Sequence, residues 1–302
     1  MEKTGLISSP KPAMLIINPV SGKKLVLKHV TDIIRTLMDA GYIVTTMVTS
    51  RRGEATEFIQ RYGRNFQLIC CTGGDGSLNE AVSGLAKENL DIPLGYIPCG
   101  SSNDFAVTHS LSTDIPTAAR NIASGRTKRY DIGRFGDDYF SYIAAFGAFS
   151  WLSYTTDQNF KNLLGHKAYI IDAIKELYKI KAQHIRFRTE NLVCEGDYIF
   201  GAVCNTTSIA ATIELPPNIV DTGDGIFEVL LVKMPETIME LDTIIHGLLN
   251  QNYTTPLIQF FQARSIDIEN APGLVWALDG EPSNVYENIH IEPMRNFMNI
   301  QG

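Results

Sequence analysis

Residues Gln67–Ala86 read QLICCTGGDGSLNEAVSGLA. Gln67 to Thr72 is a short apolar run suited to a buried strand, Gly73-Gly74-Asp75-Gly76 break it, and Leu78 to Ala86 continue as a helix. Strand, glycine loop and helix make half of a parallel crossover unit, and the flanking sequence repeats the pattern. On the N-terminal side, Ala13 to Asn18 (AMLIIN) reads as a strand ending at the turn Pro19-Val20-Ser21-Gly22. Val26, Val30, Ile33, Ile34 and Leu37 then recur at helical spacing up to Gly41. Ile43 to Val48 is a second strand and Glu54 to Tyr62 a second helix. On the C-terminal side, Leu94 to Ile97 is a fourth strand, followed by Pro98-Cys99-Gly100-Ser101-Ser102-Asn103-Asp104. The expectation is an α/β fold with a parallel sheet. A ligand would bind at the carboxyl ends of its strands, where these loops fall.

The pattern changes near Gly125 to Arg129. From Tyr130 onward most elements read as strands, among them Tyr198 to Cys204, Phe227 to Val232 and Leu274 to Leu278. Two helices interrupt them, His166 to Ile180 and Pro235 to Leu249. The expected division is therefore an α/β domain over residues 1–130 and a mostly antiparallel β-sandwich domain over 131–289.

Composition narrows the function classes. With 302 residues, 44% of them hydrophobic and 20% charged, the chain has the make-up of a folded protein and the length of two domains. Its 26 Lys+Arg against 33 Asp+Glu give a net charge of −7, which argues against bulk nucleic-acid binding. The cysteines are Cys70, Cys71, Cys99, Cys194 and Cys204; their number is odd and no CxxC occurs, so neither a disulfide framework nor a zinc site is expected. The uncharged stretches Tyr139 to Thr156 and Thr243 to Ala263 are too polar or poorly anchored for membrane spans, and residues 1–12 lack signal-peptide character. A cytoplasmic, soluble chain is expected.

The loops carry the chemistry. Glycines let successive N–H groups converge into an anion-binding nest at a helix N-terminus, and Asp75 beside it implies that a cation accompanies the anion. Gly22-Lys23 is not part of a Walker A motif, because Ile17 stands at its first glycine and Lys24 at its hydroxyl position. The second loop repeats the logic with Gly100 and two hydroxyls, although Asn103 or Asp104 would also serve as a plain helix cap. Asp279-Gly280-Glu281 ends the apolar run LVWAL. In an extended strand its carboxylates would share one face, whereas an Asp-Gly turn would separate them. Asp221-Thr222-Gly223-Asp224-Gly225 reads, taken bare, as a hairpin turn. Lys161 to Arg188 carries Lys161, Lys167, Lys175, Lys179, Lys181, Arg186 and Arg188, with apolar residues between them at helical spacing. It is either a membrane-surface helix or a solvated face.

The ordered series IINPVSGKK, CTGGDGSLNEAVSGL, PLGYIPCGSSNDFA, YDIGRF, DTGDGIFEVLLV and LDGEP resembles the diacylglycerol kinase catalytic-domain family, which includes sphingosine and ceramide kinases. The resemblance runs from about Leu15 to Pro282. It implies ATP-dependent, magnesium-assisted phosphorylation of a lipid hydroxyl, in a cleft between the two domains, on peripheral contact with a membrane. By similarity Asn18, Thr49, Gly73, Gly74, Asp75, Gly76, Ser77, Leu78, Asn79, Gly100, Ser101 and Asn103 would hold the nucleotide. Asp75, Asp104 and Asp131 would surround a magnesium–water network, and Asp221, Asp224 and the Ile226 backbone would hold a second, structural ion. Glu281 would accept the proton, with Asp279 close behind. Residues 290–302 would return to the first domain. Ser77 and Ser101 stand where the family usually has Thr, and Ser102 where it has Gly or Ala. A homodimer stays open, as do a kinase of NAD or another soluble alcohol and a non-catalytic binding protein of the same fold.

Overall fold

The computed structural model describes residues 11–147, 181–209, 213–216 and 218–302. The chain divides into two compact units, Met1–Arg129 with Met298–Gly302, and Tyr130–Phe297.

In the first unit β1 (Lys11–Ile17), α1 (Val30–Asp39), β2 (Tyr42–Val48), α2 (Glu54–Tyr62), β3 (Leu68–Gly73), α3 (Asp75–Lys87), β4 (Leu94–Pro98), α4 (Asp104–Thr108) and α5 (Ile115–Ala123) follow in order. The strands pair in parallel in the order β4-β3-β1-β2. A parallel sheet is covered on both faces, which is why β3 opens on the apolar run LICC and is buried at every position. On one face Leu15, Ile17, Leu68, Cys70 and Ile97 pack against Ile33 and Leu37 of α1 and Ala118, Ala119 and Ile122 of α5. Burying Ile33 and Leu37 contributes about 1.5–3 kcal/mol each. At the end of the chain, Ile300 and Gln301 pair in parallel with Leu94 and Gly95 of β4.

Two expected boundaries move. The helix expected from Val26 is divided: Ser21–Lys28 is a 3-10 helix whose Val26 carbonyl accepts the His29 N–H, and α1 starts at Val30. The Val26, Val30, Ile33 spacing buries the same side chains under either geometry. Helix α3 starts at Asp75 and not at Leu78, because the Ser77 and Leu78 N–H groups both donate to the Gly74 carbonyl, at 3.0 and 3.2 Å. The glycine loop is thus the helix's own first turn.

The second unit takes in most of β5 (Thr127–Phe135), then β6 (Asp138–Phe140), β7 (Ile143–Gly147), β8 (Gln183–Arg188), β9 (Val193–Cys204), β10 (Ser208–Ile209), β11 (Ile213–Glu214), β12 (Phe227–Lys233), α6 (Ile238–Leu249), β13 (Ile258–Ala263), β14 (Ile266–Glu269), β15 (Ala277–Leu278), β16 (Glu281–Pro282) and most of β17 (Asn288–Gln301). Strands β7, β8 and β12 all pair antiparallel with β9, and β14 joins β8 to β17 in the same sense. The inner face is aromatic: Phe135, Phe140, Phe146, Phe187, Tyr198, Phe227 and Trp276 are buried together, with Phe146 and Trp276 ring centroids 4.7 Å apart. Such tilted pairs add roughly 0.5–1.5 kcal/mol beyond the area they bury.

The apolar run Leu274 to Leu278 is a strand only at Ala277–Leu278, because Pro272-Gly273 turns the chain and the Leu274 N–H donates to Ala271. Helix α6 starts at Ile238 and not at Pro235. Thr237 caps it by accepting the Glu240 N–H while Glu240 accepts the Thr237 N–H, a reciprocal box that ends the preceding turn. The helix expected over His166 to Ile180, with Lys161, Lys167, Lys175 and Lys179, lies outside the described residues. The end of that basic stretch is strand. Arg186 and Arg188 lie on β8 with their guanidinium groups near Glu195 and Glu269.

Candidate functional site

Two loops leave the carboxyl ends of the neighbouring strands β3 and β4, and glycine joins them. A Cβ on Gly100 would lie 2.5 Å from the Gly74 Cα, and one on Gly74 would lie 3.2 Å from the Gly100 Cα. The Gly73 carbonyl accepts the Cys99 N–H at 2.8 Å and the Tyr96 hydroxyl at 3.3 Å. Asn103, at φ +53°, closes the second loop on itself: its Oδ1 accepts the Gly100 N–H at 2.8 Å and its Nδ2 donates to the Gly100 carbonyl at 3.1 Å. Ser101 and Ser102 remain exposed. The first N–H groups of α3 have no acceptor inside the helix, and its dipole adds partial positive charge there. Two loops and the N-terminus of one helix thus meet at the carboxyl ends of β3 and β4.

The other residues expected at the nucleotide divide by what they can offer. Asn18 donates from Nδ2 to the Ser77 Oγ at 3.0 Å, which fixes that hydroxyl at the first turn of α3. Thr49 gives both its N–H and its hydroxyl to the Ile17 carbonyl, at 2.9 and 3.3 Å, tying the end of β2 to the end of β1. Leu78 is fully buried and can offer only its main chain, whereas Gly76 and Asn79 are half-buried on α3.

Asp75 links α3 to α4. Its Oδ2 accepts the Ser102 hydroxyl at 3.2 Å and the Asp104 N–H at 3.0 Å, and its Oδ1 accepts the Phe105 N–H at 3.2 Å. Burial raises the pKa of Asp75 and the two amides oppose that. Asp104 is pushed up to about 6, first by burial and then by the Asp75 charge. Two carboxylates thus stand close enough to repel beside these loops.

In the second unit, Asp131 clasps the acidic loop. It is buried, its Oδ2 accepts the Gly225 N–H at 2.7 Å, its Oδ1 accepts the Asn296 N–H at 2.6 Å, and its own N–H donates to Thr222. Asp221 accepts the Gly223 N–H and Asp224 the Ile226 N–H, each within its own turn. Burial and the nearby Asp221 and Asp131 charges raise the pKa of Asp224. Among the described residues no group of three or more His, Cys, Asp or Glu side chains is arranged to hold a metal ion.

Asp279 and Glu281 do not lie along one extended strand. Asp279 and Gly280 both have positive φ, +51° and +87°, as the two central residues of a hairpin turn in which Leu278 pairs with Glu281. The shared-face expectation fails for that reason. Asp279 is buried and accepts three consecutive main-chain N–H groups, those of Ser141, Tyr142 and Ile143, at 2.5, 3.0 and 3.1 Å. Glu281 is half-buried at the start of β16.

The diacylglycerol kinase catalytic-domain model matches residues 12–135. A diacylglycerol kinase of Staphylococcus saprophyticus is 32% identical over 273 residues, 90% of this chain and 89% of its own. One from Bacillus subtilis is 28% identical over 291 residues, 93% of this chain and 96% of its own. The chain belongs to the diacylglycerol kinase family. With it, the chain belongs to the lipid kinases. The fold is also that of a crystal structure of a diacylglycerol kinase from Bacillus anthracis, with a TM-score of 0.72 at 22% identity and 96% of both chains covered.

Two features of this diacylglycerol kinase family member appear only in three dimensions. Ser102, one of its departures from the family pattern, is the side-chain donor to Asp75. Glu80, which the sequence presents as one more polar position on α3, accepts the Gly53 and Ala55 N–H groups of α2 at 2.8 and 3.1 Å. Gly53, at the N-terminus of α2, has no side chain to cap that helix, which is the signal that could have pointed to a partner elsewhere.

Proposed function

We propose that this chain transfers the γ-phosphoryl group of ATP to the free hydroxyl of diacylglycerol, with magnesium, giving phosphatidic acid. The observation that carries the reading is the contact of Gly74 with Gly100. It brings two loops and the positive end of α3 to one place, where a side chain at either glycine would stand in the way. Phosphoryl transfer needs positioning and charge neutralisation more than covalent help, and such an arrangement suits it.

The residues present fit magnesium in the form it takes beside phosphates. The ion usually keeps several waters and takes one or two carboxylates; Asp104 would offer it hard oxygens and Asp75, already holding three donors, would add negative charge beside it, with mutual repulsion to relieve. When bound, magnesium would neutralise charge on the phosphate oxygens. The N–H groups of the Gly73–Gly76 loop and the Ser77 and Ser101 hydroxyls would bind the phosphates, and Thr49, Asn18, Asn79, Gly100 and Asn103 would keep the walls of the site in place. Asp131, through Gly225 and Asn296, would hold the loop on which Asp221, Asp224 and the Ile226 carbonyl take a structural ion.

Glu281, which the family pattern favours, is the proton acceptor of this reading, and Asp279 spends its oxygens on three amides. The lipid hydroxyl oxygen would attack the γ-phosphorus, the bond to the β,γ-bridging oxygen would break, ADP would leave, and the hydroxyl proton would pass to Glu281. Among the described residues no helix is long and apolar enough to cross a membrane. Lipid substrate would be met by peripheral contact, and the basic stretch Lys161 to Arg188 is the candidate for it.

Radiolabelled ATP and magnesium, supplied with vesicles containing diacylglycerol or ceramide and with NAD in parallel, test the reading. Label in phosphatidic acid is the expected result. Label in the NAD product alone, or in no acceptor, overturns it.

A further inference from the structure

The ends of β1, β2 and α3 are closed into a ring of hydrogen bonds. At the end of β1, Ile17 accepts the Thr49 N–H and hydroxyl, which holds the start of the Thr49–Gly53 loop. That loop is folded on itself by Glu54, whose Oε2 accepts the Ser50 N–H and hydroxyl. Its far end is held by Glu80, whose Oε1 and Oε2 accept the Gly53 and Ala55 N–H groups. Glu80 stands on α3, one turn beyond Ser77, and Ser77 accepts the Asn18 Nδ2 donor next to Ile17. The ring therefore runs Ile17, Thr49, Gly53, Glu80, Ser77, Asn18, and returns to Ile17.

Every link but one is main chain or a short side chain next to a strand end. The exception is the Glu80 carboxylate. Gly53 sits at φ +81° and has no side chain with which to cap α2, so the orphan N–H groups of that helix take their acceptor from the neighbouring helix. The two oxygens of a carboxylate let one side chain serve both donors, one oxygen to each.

We infer that Glu80 is a positioning residue of the nucleotide site: it fixes the Thr49–Gly53 loop against α3, and without it the site loses nucleotide affinity. The inference rests on the ATP-binding reading of the first unit. Glu80 also packs α2 on α3 through its carbonyl, which accepts the Thr56 hydroxyl at 2.7 Å. That second bond gives the control. If Glu80 only glues two helices together, losing the Thr56 bond and losing the carboxylate should act alike.

ATP affinity by calorimetry and melting temperature are to be measured for wild type, Glu80→Gln and Thr56→Val, with KM for ATP and for diacylglycerol in vesicles. Glu80→Gln keeps the size and one acceptor oxygen but turns an N–H₂ toward the other amide. It should weaken ATP binding and raise KM for ATP about tenfold, the loss of one charge-assisted hydrogen bond at the low end of its range, with KM for diacylglycerol unchanged. Thr56→Val should lower the melting temperature and leave ATP affinity within about twofold of wild type, since it removes one neutral bond away from the loop. The inference is overturned if Glu80→Gln binds ATP as wild type does, or if both variants weaken ATP equally. A wild-type chain that binds no ATP overturns the reading itself, and this inference with it.

Discussion

Replacing Gly100 with alanine should disable the site through a single methyl group. The backbone of Gly100 is not in the left-handed region, so alanine brings no torsional strain, and the whole effect comes from what the new atom meets. That atom would stand 2.5 Å from the Gly74 Cα, where carbon atoms in contact ordinarily sit about 3.5–4.0 Å apart. The obstacle is backbone, which cannot swing aside as a flexible side chain could. The two loops must part by roughly 1 Å, and a shift of that size between reacting groups costs about 10²-fold in rate. Overpacking should also destabilise the fold by about 1–3 kcal/mol. Gly74→Ala should be milder, since its Cβ would press on the Gly100 Cα at 3.2 Å and ask for a shift of only a few tenths of an ångström. Gly196→Ala serves as the control, because the nearest atom to its Cβ is 3.8 Å away and its φ is not positive. Initial rates with ATP varied, beside melting curves, make the comparison. If Gly100→Ala turns over and binds ATP as Gly196→Ala does, the glycine contact does not shape a phosphate site.

Three further outcomes are expected. Glu281→Gln should slow turnover by about 10²–10⁴-fold with an unchanged melting temperature, whereas Asp279→Asn should mainly lower the melting temperature, since each amide left without its acceptor costs about 1–3 kcal/mol and Asn tolerates the positive φ; the reverse pattern would make Asp279 the base. Asp224→Asn should shrink the rise in melting temperature that magnesium produces, because an ion bound only by the native state stabilises in proportion to RT ln(1 + [L]/Kd). A full magnesium response in that variant would show that the loop only turns the chain. His109 is held down to about 4, first by burial and then by the Lys128 charge, and its ring lies 4.3 Å from that of Phe105. The folded state keeps it neutral, so its contribution is complete above the unfolded value near 6.5 and is lost as pH falls toward 4. The loss should be about 1–2 kcal/mol by about pH 4.5 once partial exposure is allowed for. The stability gap between wild type and His109→Gln, largest above the unfolded pKa, should close as pH drops; a gap constant with pH would refute the assignment.

Most of the first unit is legible because its signals are local. Glu54–Tyr62 is bounded by Gly53 and Gly63, and its periodicity gives the same limits as the structure. The parallel sheet follows from unbroken apolar runs such as LICC, which only a strand covered on both faces sustains. The displaced starts of α1 and α3 share one cause. Apolar spacing reports which face is buried and not the type of turn, and a glycine loop serves equally well as a loop or as the first turn of a helix. The second unit is less legible. Leu274 to Leu278 reads as a strand because its hydrophobicity outweighs Pro272-Gly273, and the Asp279–Glu281 geometry hinges on two backbone torsions that a pattern of side chains does not contain. Glu80 cannot be found at all from spacing, since its partners lie 25 and 27 residues away in another helix.

The acidic residues of the motifs illustrate why sequence shows a site better than it shows roles. Asp75, Asp131, Asp279 and Glu80 each accept two or three main-chain N–H groups from a distant segment. A carboxylate is the side chain best suited to such anchoring. It has two oxygens, no donor of its own to satisfy, and a charge that favours helix ends and turns rich in free amides. Each one therefore sets the path of a loop before it does any chemistry, and replacing it by Asn or Gln removes an acceptor and points N–H against N–H. Loss of activity in such a variant is ambiguous between geometry and catalysis. Asp104 and Glu281 are placed differently. Asp104 gives its own N–H to Asp75 while its carboxyl is pushed up beside that charge. Glu281 stands half-buried just past a turn that Asp279 already holds in place. In both, the loop path is set by a neighbouring aspartate. A substitution at Asp104, whose loop Asp75 already holds, changes charge with less change in loop path, and so a rate measured there speaks most directly about the reaction.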